Sequence, residues 1–236
     1  MLGVISGTIL LQEFAFSGGA TEVVRMNQFG RAQLLVNDTM ALIPRHGLDR
    51  RKQILPHLIN HRANLKALQE WGVSEVVGVN STGSLRQDLP PGIILIPDDF
   101  IMLSPYPCVC DRKPLHIVPS LNMTVRKRCL EAASTAAVEA VDGGTYWQTA
   151  GPRLETRAEI RMMSQFADLV GMTMASEAIA AQEMGINYAS ICSVDNYAHG
   201  IGQMDLSMEE ISLQAQLSGE KINLIISKYK ELPPDQ

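Results

Sequence analysis

Two side chains able to recognise the edge of a flat heterocycle lie far apart in the sequence. Glu155 sits in Gly151-Pro152-Arg153-Leu154-Glu155-Thr156. Asn196 sits where the apolar run Tyr188-Ala189-Ser190-Ile191-Cys192-Ser193-Val194 breaks into Asp195-Asn196-Tyr197. A carboxylate accepts a hydrogen bond from a ring N–H and repels a ring lone pair, whereas a carboxamide both donates and accepts. Other segments suit an anion. Pro44-Arg45-His46-Gly47 offers a guanidinium, whose planar fork matches phosphate bidentately. Ile5-Ser6-Gly7-Thr8 is a strand ending in a small-residue turn, which exposes backbone N–H groups and a hydroxyl. Val79-Asn80-Ser81-Thr82-Gly83-Ser84-Leu85 runs from a strand into a Gly/Ser turn, and Gly171-Met172-Thr173-Met174-Ala175-Ser176-Glu177 runs from strand to helix.

The elements that must hold these residues alternate between strand-like and helical. Apolar runs at Leu2-Ile5, Gln33-Val36, Met40-Ile43, Glu75-Val79, Ile93-Ile96, Asp168-Gly171 and Tyr188-Val194 predict strands. Several are continuous Val/Ile/Leu stretches, as expected of strands covered on both faces. Leu58, Leu65, Leu68 and Trp71 predict one face of a helix ended by Gly72. Thr156-x-x-Glu159 and Ser207-x-x-Glu210 are spaced as capping boxes. The Ala-rich segment Ser176 to Met184 predicts a helix stopped by Gly185, and the last helix should reach about Lys230. This alternation predicts one α/β domain over residues 1–236, a central mixed β-sheet flanked by helices. The least regular stretch, Met102 to Pro114, reads as a functional or interfacial loop.

Composition narrows the field. At 236 residues with 46% hydrophobic and 19% charged residues, the chain can bury one sizeable core. Its net charge of -5 argues against a general nucleic-acid binder but leaves room for a small basic pocket. Cys108 and Cys110 form a C-x-C without the second ligand cluster of a zinc site, so all four cysteines, with Cys129 and Cys192, read as plain thiols and no metal site is expected. No G-x-G-x-x-G run suggests a dinucleotide cofactor. The apolar start carries no Lys or Arg before Arg25, and no run approaches the ~18 apolar residues of a membrane span, so a cytoplasmic protein without membrane partners is expected.

Taken in order from Val4 to about Lys230, the five motifs around Ser6, Arg45, Ser81, Glu155 and Met172 resemble those of the trimeric purine nucleoside phosphorylases, the family that includes methylthioadenosine phosphorylase. The resemblance implies that Thr8, Arg45, His46, Asn80, Ser81 and Thr173 hold phosphate, that Met172 packs under the ribose, and that Leu154, Glu155, Asn196 and Ala198 meet the base. It also implies that His116 reaches the sugar's 5′ end from a neighbouring subunit, and that Met208 lies near the position distinguishing 5′-hydroxyl from 5′-alkylthio substrates. His57 follows His46 at a distance that fits the family's phosphate-binding arm, although the basic loop from Leu48 to Leu55 is longer than in close relatives. The family usually has Gly in place of Ser6 and Ile9, and Pro in place of Ser176.

Within that family the Glu155/Asn196 pair favours 6-oxopurines. Their N1–H suits the carboxylate, while Asn196 can donate to O6 and accept from an N7 proton; adenine would present a lone pair to Glu155. The implied reaction is phosphorolysis of inosine or guanosine to base and ribose 1-phosphate, with inorganic phosphate as co-substrate, no cofactor, Asn196 stabilising the leaving base, and a homotrimer or dimer of trimers as the assembly. An S-methyl-5′-thioinosine phosphorylase is the alternative, and a purine sensor without turnover a more remote one.

Overall fold

The computed structural model describes residues 1–7, 19–49, 51–110, 114–202 and 207–233. Thr8 lies outside the described residues, and of Met208 only the backbone is described. The strands are β1 (Leu2–Ser6), β2 (Thr21–Asn27), β3 (Gly30–Val36), β4 (Met40–Pro44), β5 (Glu75–Ser84), β6 (Ile94–Ile96), β7 (Asp99–Met102), β8 (Ala140–Asp142), β9 (Thr145–Gln148), β10 (Leu169–Gly171) and β11 (Asn187–Tyr197). The helices are α1 (His61–Glu70), α2 (Met123–Thr135), α3 (Arg157–Met163), α4 (Met174–Glu183) and α5 (Met208–Glu231), with a short 3₁₀ turn at Pro56–Leu58.

Each predicted strand is present. The sheet is mixed and branches at β5, whose first half pairs with β1 and whose last residues pair with β10, while β11 runs beside it along its length. Successive strand residues alternate faces, and here both faces are buried. Ile5, Ala41, Ile43 and Val76 pack with Leu65 and Leu68 of α1 and Met174 and Ala178 of α4. Leu2, Val4, Leu42 and Val77 pack on the other side with Val125 and Cys129 of α2 and Ile222 and Ile225 of α5. Each such Leu or Ile, fully withdrawn from water, stabilises the fold by about 1.5–3 kcal/mol. None of the four cysteines is in a disulfide.

One expectation for the helices needs adjusting. Leu58 does not share the buried face of α1: it is 63% exposed in the 3₁₀ turn that Pro56 opens. Asn60 then starts α1 afresh, its side chain accepting from the Ala63 N–H. Thr156 and Glu159 form the full capping box, whereas Ser207 is described accepting from the Glu210 N–H. Strands β2, β7, β8 and β9 were not anticipated. β2 lies on the sheet edge with little burial and so lacks an inward apolar pattern, and the other three are only three or four residues long.

Strands β1, β4, β5 and β11 run parallel, so their C-terminal ends gather on one side of the sheet. Ligands in open α/β sheets bind outside such ends.

Candidate active site

At that edge is a cavity of about 450 Å³, within the range for small-molecule sites. Its wall brings together Arg45, His46, Ser81, Leu154, Glu155, Met172, Thr173, Asn196 and Ala198, which the sequence scatters over more than half the chain. Ser6 and Gly7 close the end of β1, and Gln53 to Pro56 bring the loop after β4 against the ligand space. The opposite wall is a single stripe of α5, Ile211, Ser212, Ala215, Gly219 and Ile222, at the spacing of one helix face.

Arg45 departs from the arrangement its residue type suggests. It is only 3% exposed, and the paired edge of its guanidinium grips Glu177 instead of facing outward: Nε donates to Oε1 at 2.7 Å and Nη2 to Oε2 at 3.2 Å. Nη2 also donates to the Ile5 carbonyl at 2.9 Å and Nη1 to the Val79 carbonyl at 2.7 Å. Four of five N–H groups are thereby committed, leaving one on Nη1 for a ligand. Arg45 therefore cannot present the bidentate fork expected of it and has at most one N–H to offer. Glu177 is fully buried, and burial raises its pKa; the Arg45 charge and the hydrogen bonds from Arg45 and the Tyr188 hydroxyl (2.7 Å) oppose that shift. Nearby, His61 is held down to about pKa 3, first by burial and then by the charges of Arg45 and His46.

His46 and Asn80 also change role. The His46 pKa is lowered, chiefly by burial, and its Nδ1 lies 2.8 Å from the Ile54 carbonyl, which can only accept. The neutral ring therefore spends its N–H on Ile54, and its other nitrogen is a lone-pair acceptor that cannot donate to phosphate. With the Ile54 N–H donating to the His46 carbonyl at 2.9 Å, His46 holds Ile54 beside the cavity. Asn80 is 1% exposed and is not on the wall. Ser190 donates to its Oδ1 at 2.7 Å, and its Nδ2 donates to Thr173 Oγ1 at 2.8 Å, so Asn80 orients Thr173 instead of touching a ligand. Thr173 stands at the N-cap position of α4 without a side-chain capping bond, and its N–H donates to the Tyr146 hydroxyl at 3.3 Å. Gly171 makes room for that hydroxyl, since a Cβ there would collide with it. The Thr173 O–H, its oxygen already accepting, remains free to donate at the N-terminus of α4, where the helix dipole favours an anion.

The base end is shaped by Glu155 and β11. Glu155 is buried, and the Thr149 hydroxyl donates to Oε1 at 2.6 Å, leaving Oε2 as an acceptor. His199, also on the wall, accepts from Arg157 Nε at 3.2 Å, so its Nδ1–H points to the Glu155 carbonyl at 3.4 Å. Asn196 donates one N–H to the Tyr197 carbonyl at 2.8 Å, leaving the other N–H and its oxygen. The register between β11 and β5 slips between Val194 and Asn196, and this bulge puts the adjacent residues Asp195 and Asn196 both on the cavity wall. His116 is exposed and does not line the cavity of its own chain. Sequence reasoning missed Glu177, Asp195 and the α5 stripe. Ser193-x-Asp195 on one strand face was the available signal for the second; nothing local marks Glu177 as the partner of Arg45, 132 residues away.

Residues 4–231 match the model of the phosphorylase superfamily. Among curated relatives, a probable 6-oxopurine nucleoside phosphorylase of Archaeoglobus fulgidus is 37% identical over 97% of this chain and 95% of its own length. A probable S-methyl-5′-thioinosine phosphorylase of Methanocaldococcus jannaschii is 32% identical over 97% of this chain and 91% of its own. Among solved structures, a methylthioadenosine phosphorylase sourced from an antarctic soil metagenomic library superposes with a TM-score of 0.85 at 26% identity, covering 97% of this chain and 84% of that one.

Proposed function

The chain belongs to the phosphorylase superfamily, and on that premise we propose that it is a 6-oxopurine nucleoside phosphorylase, acting on inosine or guanosine with inorganic phosphate. One observation carries the substrate class: a buried carboxylate, Glu155, shares a cavity wall with the carboxamide of Asn196. Thr149 donates to Oε1 of Glu155 and leaves Oε2 of the carboxylate to accept N1–H of a 6-oxopurine and to repel N1 of adenine.

In the reaction, a phosphate oxygen bonds to C1′ as the bond from C1′ to N9 breaks, and the base leaves with the electron pair. No protein nucleophile is needed. Holding the two reactants in line supplies much of the rate. The free N–H of Asn196 meets the negative charge growing toward O6; the proton that hydrogen phosphate gives up on bonding to C1′ passes to the departing base, and at N7 the Asn196 oxygen accepts from it. Ser81, the Thr173 hydroxyl, the Gly7 backbone and the last Arg45 N–H supply donors at the phosphate end, with Met172 between the two ends under the sugar.

The site is completed by a second copy of the chain in a trimer or dimer of trimers. Support for this comes from His116, which is exposed and off its own cavity's wall, and from the exposed Leu103, Tyr106, Leu115 and Val118, which leave apolar side chains uncovered in one chain. The described residues contain no helix long and apolar enough to cross a membrane, in keeping with a cytoplasmic enzyme. The deciding assay is release of hypoxanthine from inosine with and without phosphate. Phosphate-dependent release supports the enzyme, while binding of inosine without release makes the protein a sensor.

A further inference from the structure

Ser81, the Thr173 hydroxyl, the Gly7 backbone and the last Arg45 N–H are donors at the phosphate end, whereas His46, on the same wall, is an acceptor. Its Nδ1 lies 2.8 Å from the Ile54 carbonyl, which has no proton to give, so Nδ1 carries the proton of the ring. Burial, helped by the Arg45 charge and opposed by the bond to Ile54, lowers the pKa of the imidazole and keeps it neutral. Nε2 is therefore a lone pair.

Two observations leave that lone pair for a ligand. No described residue bonds to Nε2, and it is not among the buried side-chain atoms that lack a partner, so it is open to the space it borders. That space is the cavity. Half-buried His46 lines it with Ser6, Gly7 and Arg45, and a Cβ placed on Gly7 would stand 3.8 Å from Cδ2, the ring carbon bonded to Nε2. The Nε2 edge of the ring thus flanks the turn after β1, where phosphate sits under the function proposed above, on which this inference rests.

An acceptor in an anion site is useful only when the anion brings a proton. Hydrogen phosphate does, in its P–OH. Sulfate has the same charge and nearly the same size but is fully deprotonated at neutral pH. Serine and threonine hydroxyls can turn to suit either anion; a neutral imidazole whose one N–H is spent cannot.

We propose that His46 Nε2 accepts a hydrogen bond from the P–OH of bound hydrogen phosphate, which makes His46 a specificity-determining residue that admits protonated oxyanions and rejects sulfate. With sulfate, the Nε2 lone pair faces an oxygen lone pair and stays unpaired, the condition under which a polar site discriminates strongly. The same contact sorts the phosphate oxygens, since holding the protonated one at His46 leaves an unprotonated one to face C1′.

The test is calorimetric binding of phosphate, arsenate and sulfate to wild type and His46→Gln, alongside inhibition of inosine phosphorolysis by sulfate. Wild type should bind sulfate about ten- to a hundredfold more weakly than phosphate, the range of a hydrogen bond to a charged group. Arsenate, larger than both but protonated, should group with phosphate and so exclude size as the cause. In His46→Gln, whose amide can turn an N–H toward the anion, the ratio of phosphate to sulfate affinity should fall toward one. The ¹⁵N resonance of His46 Nε2 in wild type reads the contact without a variant: phosphate should shift it while leaving it unprotonated. Equal wild-type affinity for phosphate and sulfate, an unchanged ratio in folded His46→Gln, or an Nε2 that phosphate leaves unmoved or finds protonated would each overturn the assignment. In those cases phosphate-dependent cleavage of inosine by wild type leaves the proposed function standing, whereas its absence removes both.

Discussion

Arg45 offers a perturbation whose structural and functional consequences can be separated. Its charge is matched by Glu177 in a nearly waterless setting, and one N–H is left for a ligand. Arg45→Met strands a buried carboxylate, and breaking a buried pair from one side costs about 3–5 kcal/mol. For a chain of this size that is about 6–20 °C in Tm, at about 2–4 °C per kcal/mol. Replacing both partners, in Arg45→Met/Glu177→Leu, removes the stranded charge. Only about 1–3 kcal/mol should then remain, for the Ile5 and Val79 carbonyls and the Tyr188 hydroxyl that lose partners. Phosphate affinity should not follow stability. If the last Nη1 hydrogen bonds phosphate, both variants lose a charge-assisted bond of about 1.5–3 kcal/mol, which raises the phosphate KM by about ten- to a hundredfold. The assay is urea unfolding alongside phosphate saturation at fixed inosine. A double variant with restored stability and a wild-type phosphate KM would refute the contact and leave Arg45 a purely structural residue.

Asn196→Asp should lower inosine turnover by about 10²–10³-fold, since a preorganised donor to developing charge becomes a repelling oxygen; unchanged turnover would count against Asn196. His61 makes a pH prediction. Its folded pKa of about 3 lies below the unfolded value near 6.5, so below pH 6.5 the unfolded chain takes up the proton and stability falls. The slope reaches about 1.4 kcal/mol per pH unit for one group, with His46 adding in the same direction. Glu177, with a raised pKa, acts oppositely: its contribution is complete below pH 4.5 and fades as pH rises through its folded value. His61→Phe should therefore flatten the slope between pH 6.5 and 4.5, and an identical slope would show that His61 is not the buried neutral group. Light scattering at working concentration should give a trimer or a multiple of three, and full activity in a monomer would exclude a shared site.

Much of the architecture was legible because strands buried on both faces leave long apolar runs, as at Met40–Pro44 and Asn187–Tyr197. Helix starts were legible wherever a side chain caps them, as Thr156 does. The edge strand β2 was not, because exposed residues carry no inward pattern. In the site, residue types located the wall but not the partners. Asn80 was read as a ligand contact from its place in the family resemblance and Arg45 from its guanidinium as well, yet tertiary neighbours use their donors first. Asp195 escaped notice because a strand alternates its side chains, and only the bulge allows two successive residues on one wall.

The claim that most needs testing is the preference for a 6-oxopurine. It is tested by phosphorolysis rates on inosine, guanosine, adenosine, methylthioinosine and methylthioadenosine under saturating phosphate. The geometry of Glu155 and Asn196 predicts that the 6-oxo substrates are cleaved far faster than their 6-amino counterparts, whatever the 5′ substituent. Equal or faster cleavage of adenosine or methylthioadenosine would contradict it.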